Sequence, residues 1–350
     1  MSKARQLADL GNQVDDGAIT GSNMVVNGAM TVAQRGVSAT GKNQRGYYAC
    51  DRAQVYFSAI DQMVTTVSQD TDAPDGFDKS HKVLVTTAET SVESNELHCM
   101  LWYQIEGQDL QQLGYGNANA KPMTLSFWVK SNVTGTYTLS AYSYIGGANS
   151  VQAPTYTINT AGTWEYKTLT ISGNTTRGIV DSNGSGIELY WNGLVGSQYT
   201  SGTQATSWSN YTTDNWAVGH TADFGLGVND YWQITGVCLN VGDSAIDFPH
   251  ESYGETLAKC QRYYYQEDTP SHFLRSFYAA LTGDLYEDYP LPVVMRATPS
   301  WTAQVGADVH KITAVSISGR TAKSGYVRFT VDSTGQGYCS LGKVTADAEL

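Results

Sequence analysis

From Asn23 to about Phe248, apolar and polar residues alternate with a period of two, the pattern of half-buried strands. Met123, Leu125, Phe127 and Val129 interleave with Thr124, Ser126, Trp128 and Lys130; Tyr137, Leu139 and Ala141 interleave with Thr138, Ser140 and Tyr142. The polar stretch Ser131–Gly135 between them ends in glycine and reads as a hairpin connection. Trp164–Ser172, Ile187–Trp191 and Tyr231–Val241 continue the pattern. Short strands punctuated by Gly, Asn, Ser and Thr predict an antiparallel, jelly-roll-like β-sandwich over residues 23–250. Within it, Gly193–Val228 is longer and irregular and reads as a loop region, the kind of segment that often carries function.

The period changes at residues 251–266. Ser252 stands three residues ahead of Glu255, which is capping-box spacing, and Leu257, Cys260, Gln261 and Tyr264 fall on one helical face. This predicts a linking helix. Strand periodicity then returns in a smaller C-terminal all-β domain over residues 267–350. Phe273–Leu285 reads as a strand pair turned at Gly283, and Tyr289–Pro299, with its prolines, as edge strands or an extended arm. Ile312–Ser318, Tyr326–Val331 and Tyr338–Val344 read as strands. The fold class is therefore mainly β. Residues 1–22 are short and charge-mixed, with at most one or two helical turns around Ala4, Leu7, Ala8 and Leu10, and such a segment orders against a partner.

Composition narrows the classes of function. Charged residues make up 15% of the 350-residue chain, below the roughly 25% of ordinary soluble domains, and 23 Tyr with Ser, Thr, Asn and Gly fill the difference. Tyr and Trp on a weakly charged polar surface suit contact with sugars or proteins. A net charge of −12, with no long run of Lys and Arg, argues against a nucleic-acid partner. No stretch has the roughly 20 apolar residues of a membrane-spanning helix. The opening MSKARQLADLG lacks the apolar core of a signal peptide, so synthesis and retention in a cytoplasm are expected.

Catalytic constellations are not found: there is no G-x-S-x-G elbow, P-loop or G-x-G-x-x-G ahead of a helix. The six histidines sit singly, and the five cysteines (Cys50, Cys99, Cys238, Cys260, Cys339) form no C-x-x-C pair and read as buried free thiols. No metal or cofactor is expected. Asp284, Glu287 and Asp288 are the densest acidic group, read either as a glycosidase carboxylate source or as a solvated hairpin tip; Glu251 and Glu255 read as a helix N-terminus. Asp181-Ser-Asn183-Gly184 offers calcium-loop oxygens but also an ordinary Asn-Gly turn. The candidate ligand-binding residues are Trp191, Trp208 and Trp216, in or beside the irregular stretch, with Tyr190 and Tyr211; their aromatic faces stack on sugar rings or anchor the loops by burial.

Several segments carry a resemblance in their order and joint presence: NMVVNGAMTVAQRG (Asn23–Gly36), YACDRAQV (Tyr48–Val55), TLSFWVKSNVTG (Thr124–Gly135), TWEYKTLTISG (Thr163–Gly173) and ITGVCLNVGDSAIDF (Ile234–Phe248), running into ESYGETLAKCQRYY. Together they resemble phage tail-fibre and related virion fibre proteins, in which a carbohydrate-binding-module-like sandwich precedes that helix and a distal β domain. Where the family often has Gln-Leu-Glu, this chain has Cys238, Leu239 and Asn240. The resemblance implies a homotrimer on a virion, with host surface polysaccharide as ligand and no cofactor; with the missing catalytic constellations this gives a non-enzymatic expectation, and the short opening suits attachment to other virion proteins through residues 1–22. A head-fibre, decoration or adaptor component, and a polysaccharide depolymerase, are the alternative expectations.

Overall fold

Strands whose two faces are both buried need partners on both sides, and the period-two segments find them in two stacked antiparallel sheets. The computed structural model describes residues 23–143, 149–268, 274–279 and 282–350; the expected anchoring segment 1–22 lies outside them. The chain divides into two units, Met1–Glu251 and Ser252–Leu350. In the first, a six-stranded sheet runs in the order β1 (Ser38–Lys42), β4 (Val64–Asp70), β5 (Ser80–Thr87), β14 (Tyr231–Val241), β7 (Met123–Ser131) and β11 (Glu165–Ile171). An eight-stranded sheet runs β13 (Ser209–Asn210), β9 (Ser150–Gln152), β8 (Gly135–Ser143), β12 (Ser185–Val195), β6 (Leu97–Glu106), β3 (Gln54–Ser58) and β2 (Gly46–Tyr47), with β10 (Thr155–Ile158) also on β8. Leu125, Phe127 and Ile234 from one sheet meet Leu139, Leu189 and Trp191 from the other in a single buried core.

The segment 131–135 is not a hairpin. β7 is flanked by β14 and β11, which leaves no free edge for β8, and β8 pairs with β12 in the other sheet. The turn therefore carries the chain between layers, held by Ser131 Oγ, which donates to the Tyr231 carbonyl at 2.6 Å. The Asn-rich opening has a structural task. Asn23 donates to the Val237 carbonyl (2.7 Å) and accepts from the Leu239 amide (2.9 Å), lacing the start of the sandwich to β14. Gly28 lies so close to β14 that a Cβ would stand 2.1 Å from the Val237 carbonyl oxygen, which explains the glycine.

In the second unit, helix α1 spans Tyr253–Gln261 and carries the expected capping box: Ser252 Oγ accepts from the Glu255 amide, and the Glu255 carboxylate accepts from the Ser252 amide. It ends earlier than its periodicity predicts, because Tyr264–Asp268 forms β15 and pairs with the last strand. β16 (Leu274–Ala279) and β17 (Gly283–Pro290) are not a hairpin about Gly283. β16 pairs with β21 (Gly335–Asp347) and β17 with β20 (Ser324–Val331), so tertiary pairing overrides the local turn signal. β20 also pairs with β19 (Ile312–Thr321), and β18 (Ser300–His310), which no clean alternation announces, lines β21 along its length. Tyr289, Val327, Phe329, Leu341 and Val344 form this unit's core.

Candidate functional site: an aromatic groove on the eight-stranded sheet

Alternation along β12 decides which of the candidate aromatics leave the core. Ile187, Leu189 and Trp191 point into the core, so Glu188, Tyr190 and Asn192 point to the other face of the sheet. Trp191 is fully buried with its ring edge-on to Phe127 at 5.9 Å, and it cannot stack on a ligand. Trp208 is also not at the site. Its indole donates to the Ser172 carbonyl at 2.6 Å and its ring packs edge-on to Tyr115, beside the main core. Both are anchors, Trp191 as a core residue of β12 and Trp208 by fixing the irregular stretch beside that core.

Tyr190, Tyr211 and Trp216 do come together. They line a groove of about 210 Å³ with Tyr56, Leu97, Tyr142 and Tyr199. Tyr190 and Trp102 sit opposite each other on β12 and β6 and stack at 5.1 Å with planes 13° apart. Tyr56 stands edge-on to both, at 6.0 and 5.5 Å. From the covering segment, Trp216 meets Tyr190 edge-on at 4.8 Å and Tyr211 at 5.7 Å, while Tyr142 meets Tyr211 at 5.5 Å. The Arg45 guanidinium lies 5.3 Å over the Trp102 ring. Such edge-to-face and offset contacts are the favourable aromatic geometries, each worth about 0.5–1.5 kcal/mol beyond burial.

Polar groups are interleaved with the rings. Tyr190 donates to Glu188 Oε2 at 2.5 Å, and Gln104 Nε2 (3.0 Å) and Ser185 Oγ (2.9 Å) donate to Glu188 Oε1. Burial pushes the Tyr190 phenol well above its usual range and the adjoining Glu188 carboxylate pushes it further, so it stays a donor. Asn192 accepts from the Trp216 indole at 3.1 Å and donates to Ser140 Oγ at 2.8 Å, tying the covering segment to the sheet. The Gln54 and Gln104 carbonyl oxygens and the Trp102 indole N–H have no protein partner. A second, polar hollow of about 340 Å³ is lined by residues of the covering segment, among them Gln204, Thr206, Thr212 and Asp214.

Tyr56, Trp102, Tyr142 and Tyr199 were not among the sequence candidates. Three of them sit on strands, and an aromatic residue at the outward parity of a strand was the available signal; Tyr142 already alternates with Leu139 and Ala141. The other sequence candidates resolve plainly. Asp284, Glu287 and Asp288 lie along β17 and not at a hairpin tip, and Asp284 accepts from Thr330 at 2.8 Å. Asn183 and Gly184 lie in a bend between strands of different sheets, where the Gly184 carbonyl accepts from the Gly107 amide. Cys50, Cys99, Cys238 and Cys260 are buried free thiols; the side chain of Cys339 lies outside the described residues.

No protein-family model matches the chain, and no curated protein matches it. Solved structures with partial likeness include the enzymatically active domain of tailspike protein 4 of bacteriophage CBA120, with 12% identity, a TM-score of 0.31, and coverage of 63% of this chain and 21% of that one. A Clostridium thermocellum xylanase 10B fragment, CBM22-1 with its GH10 module, has 12% identity and a TM-score of 0.31, covering 61% of this chain and 30% of that one. The tandem CBM22-1–CBM22-2 domains of Paenibacillus barcinonensis Xyn10C have 9% identity and a TM-score of 0.27, covering 91% of this chain and 92% of that one. This chain thus spans under a third of the length of the first two. At these scores the likeness carries no argument about ligand or activity; the antiparallel sandwich rests on the strand pairing above.

Proposed function

We propose that the first unit is a glycan-binding module and that the aromatic groove on its eight-stranded sheet is the binding face. One observation carries this: Tyr56, Trp102, Tyr142, Tyr190, Tyr211 and Trp216 cluster on the face of the sheet that points away from the core. Aromatic faces cover the C–H side of a sugar ring, and the tyrosines that line the groove carry hydroxyls able to hydrogen-bond its polar groups. The reading is of a non-enzymatic binder, because the Glu188 carboxylate is already held by three donors as a structural tie.

The ordered segments from Asn23 to the helix support a finer reading, a phage virion fibre subunit assembled as a homotrimer and attached through residues 1–22. Three linked copies raise the avidity of a shallow groove through effective concentration. The test is binding of the purified full chain to host surface polysaccharide, with Tyr142→Ala and Tyr211→Ala as variants. Both residues are half-buried, so each change removes a groove wall and spares the core. Losing one ring contact of about 0.5–1.5 kcal/mol lowers affinity roughly two- to tenfold. A wild-type chain that binds no host glycan, or variants that bind equally well, would sink the glycan reading. A monomeric mass in solution would sink the trimer.

A further inference from the structure

Two connections of the sandwich bring three carboxylates together. Asp61 lies between β3 and β4, Glu89 and Glu96 between β5 and β6, and ligand oxygens from all three lie within 4.8 Å of one another. Oxygens bound to one calcium ion at about 2.3–2.6 Å stand at most about 5.2 Å apart, so the three fit a single coordination sphere. The site is built and not a solvated acidic patch: Glu89 is 1% exposed and Glu96 fully buried. Glu89 is held by the Thr90 amide at 3.1 Å and the Gln62 amide at 3.3 Å. Glu96 Oε2 accepts from the Glu93 amide at 2.9 Å, which leaves Oε1 buried with no partner. Among the described residues no Lys, Arg or His pairs with any of the three. A buried carboxylate oxygen without a donor is neutralised either by a proton or by a counter-charge, and burial beside Glu89, Asp61 and Glu93 raises the Glu96 pKa in the absence of a cation.

We propose that Asp61, Glu89 and Glu96 bind a calcium ion that clamps these two connections. Three carboxylates with no nitrogen or sulfur donor select a hard cation, and their placement on two loops suits the larger, geometrically tolerant calcium over magnesium. The ion fixes more than the acidic cluster. The Glu96 carbonyl accepts from the Gly196 amide at 2.7 Å and the Ser94 carbonyl from the Gln198 amide at 3.0 Å, so the turn that carries Tyr199 hangs on this loop. Gly196 is packed so closely there that a Cβ would stand 2.3 Å from the Glu93 carbonyl oxygen.

The test is calorimetric titration of chelator-treated full chain with calcium chloride, paired with thermal melts. One ion per chain and a higher melting temperature are expected at about 5 mM, above the roughly 10⁻⁴–10⁻³ M dissociation constants of extracellular calcium modules. Magnesium at the same concentration gives a smaller rise. Glu96→Gln and Asp61→Asn each weaken calcium binding at least tenfold. Asp61 is exposed, so Asp61→Asn leaves folding intact and decides the matter if Glu96→Gln does not fold. No heat and no thermal shift with calcium, or Asp61→Asn binding as tightly as wild type, would overturn the proposal.

Discussion

Replacing Tyr190 with Phe isolates one hydrogen bond in the groove. The ring stays, and with it the stacking on Trp102 at 5.1 Å and the edge contact with Trp216 at 4.8 Å. What goes is the hydroxyl that donates to Glu188 Oε2 at 2.5 Å, in a setting where Tyr190 and Glu188 are each 8% exposed. A hydrogen bond to a charged group contributes about 1.5–3 kcal/mol. Gln104 and Ser185 still hold Oε1, so the loss falls near the lower end, about 1.5–2 kcal/mol. For a unit of this size that is a fall in melting temperature of about 3–8 °C. Thermal and denaturant unfolding of Tyr190→Phe, Glu188→Gln and the double variant measure it, and the cycle should return a coupling of about 1.5 kcal/mol. A Tyr190→Phe chain within about 0.5 kcal/mol of wild type, the scatter of ordinary surface changes, would refute the view that Glu188 is tied down by its neighbours.

The sandwich should also be acid-sensitive. Burial draws the pKa of His81 down to about 4, opposed by its contact with the Met100 carbonyl, and that of His98 to about 3. Burial likewise takes His220 to about 4, against its contacts with the Gly193 and Ala222 carbonyls. These folded values lie below the unfolded value of about 6.5, so the unfolded chain takes up protons first. The contribution is complete above about pH 6.5 and shrinks toward pH 4 by about 1.4 kcal/mol per pH unit for each histidine. Denaturant midpoints of the first unit compared at pH 7 and pH 5 check this, and equal midpoints would contradict it. In the second unit, Ser252→Ala removes the helix cap and should cost about 0.5–2 kcal/mol, read from the unfolding midpoint of that unit; no change would mean the capping box is idle.

Much of the fold was legible wherever apolar and polar residues alternate, whether or not the polar face is itself covered. Tyr231–Val241 and Met123–Ser131 are bounded almost as their alternation predicts, and the capping box marks the helix start. What alternation does not encode is the partner. The turn chemistry of Ser131–Gly135 serves a change of sheet as well as a hairpin, and Gly283 starts a strand that pairs with β20, far along the chain. β6 was hidden for another reason: Cys99–Tyr103 is apolar at every position, with one face in the core and the other under the covering segment, so no period shows. The same cover made the groove hard to read. Tyr190, Tyr211 and Trp216 were visible as aromatics near an irregular stretch, but Trp191 has the same local setting and only strand parity separates it from Tyr190.

That parity has a consequence for how such a molecule diversifies. On β12 each residue that holds the sheets together sits beside one that faces the groove, so any shift in register exchanges Tyr190 for Trp191 and disrupts the groove and the core together. The floor of the groove is thereby locked to the stability of the whole unit. The covering residues between Ser201 and Asn215 belong to no long strand, and most of their side chains are at least partly open to solvent. Under the proposed role, selection for a new ligand acts on these residues and not on β12. Libraries meant to redirect recognition should randomise the cover and leave the floor unchanged.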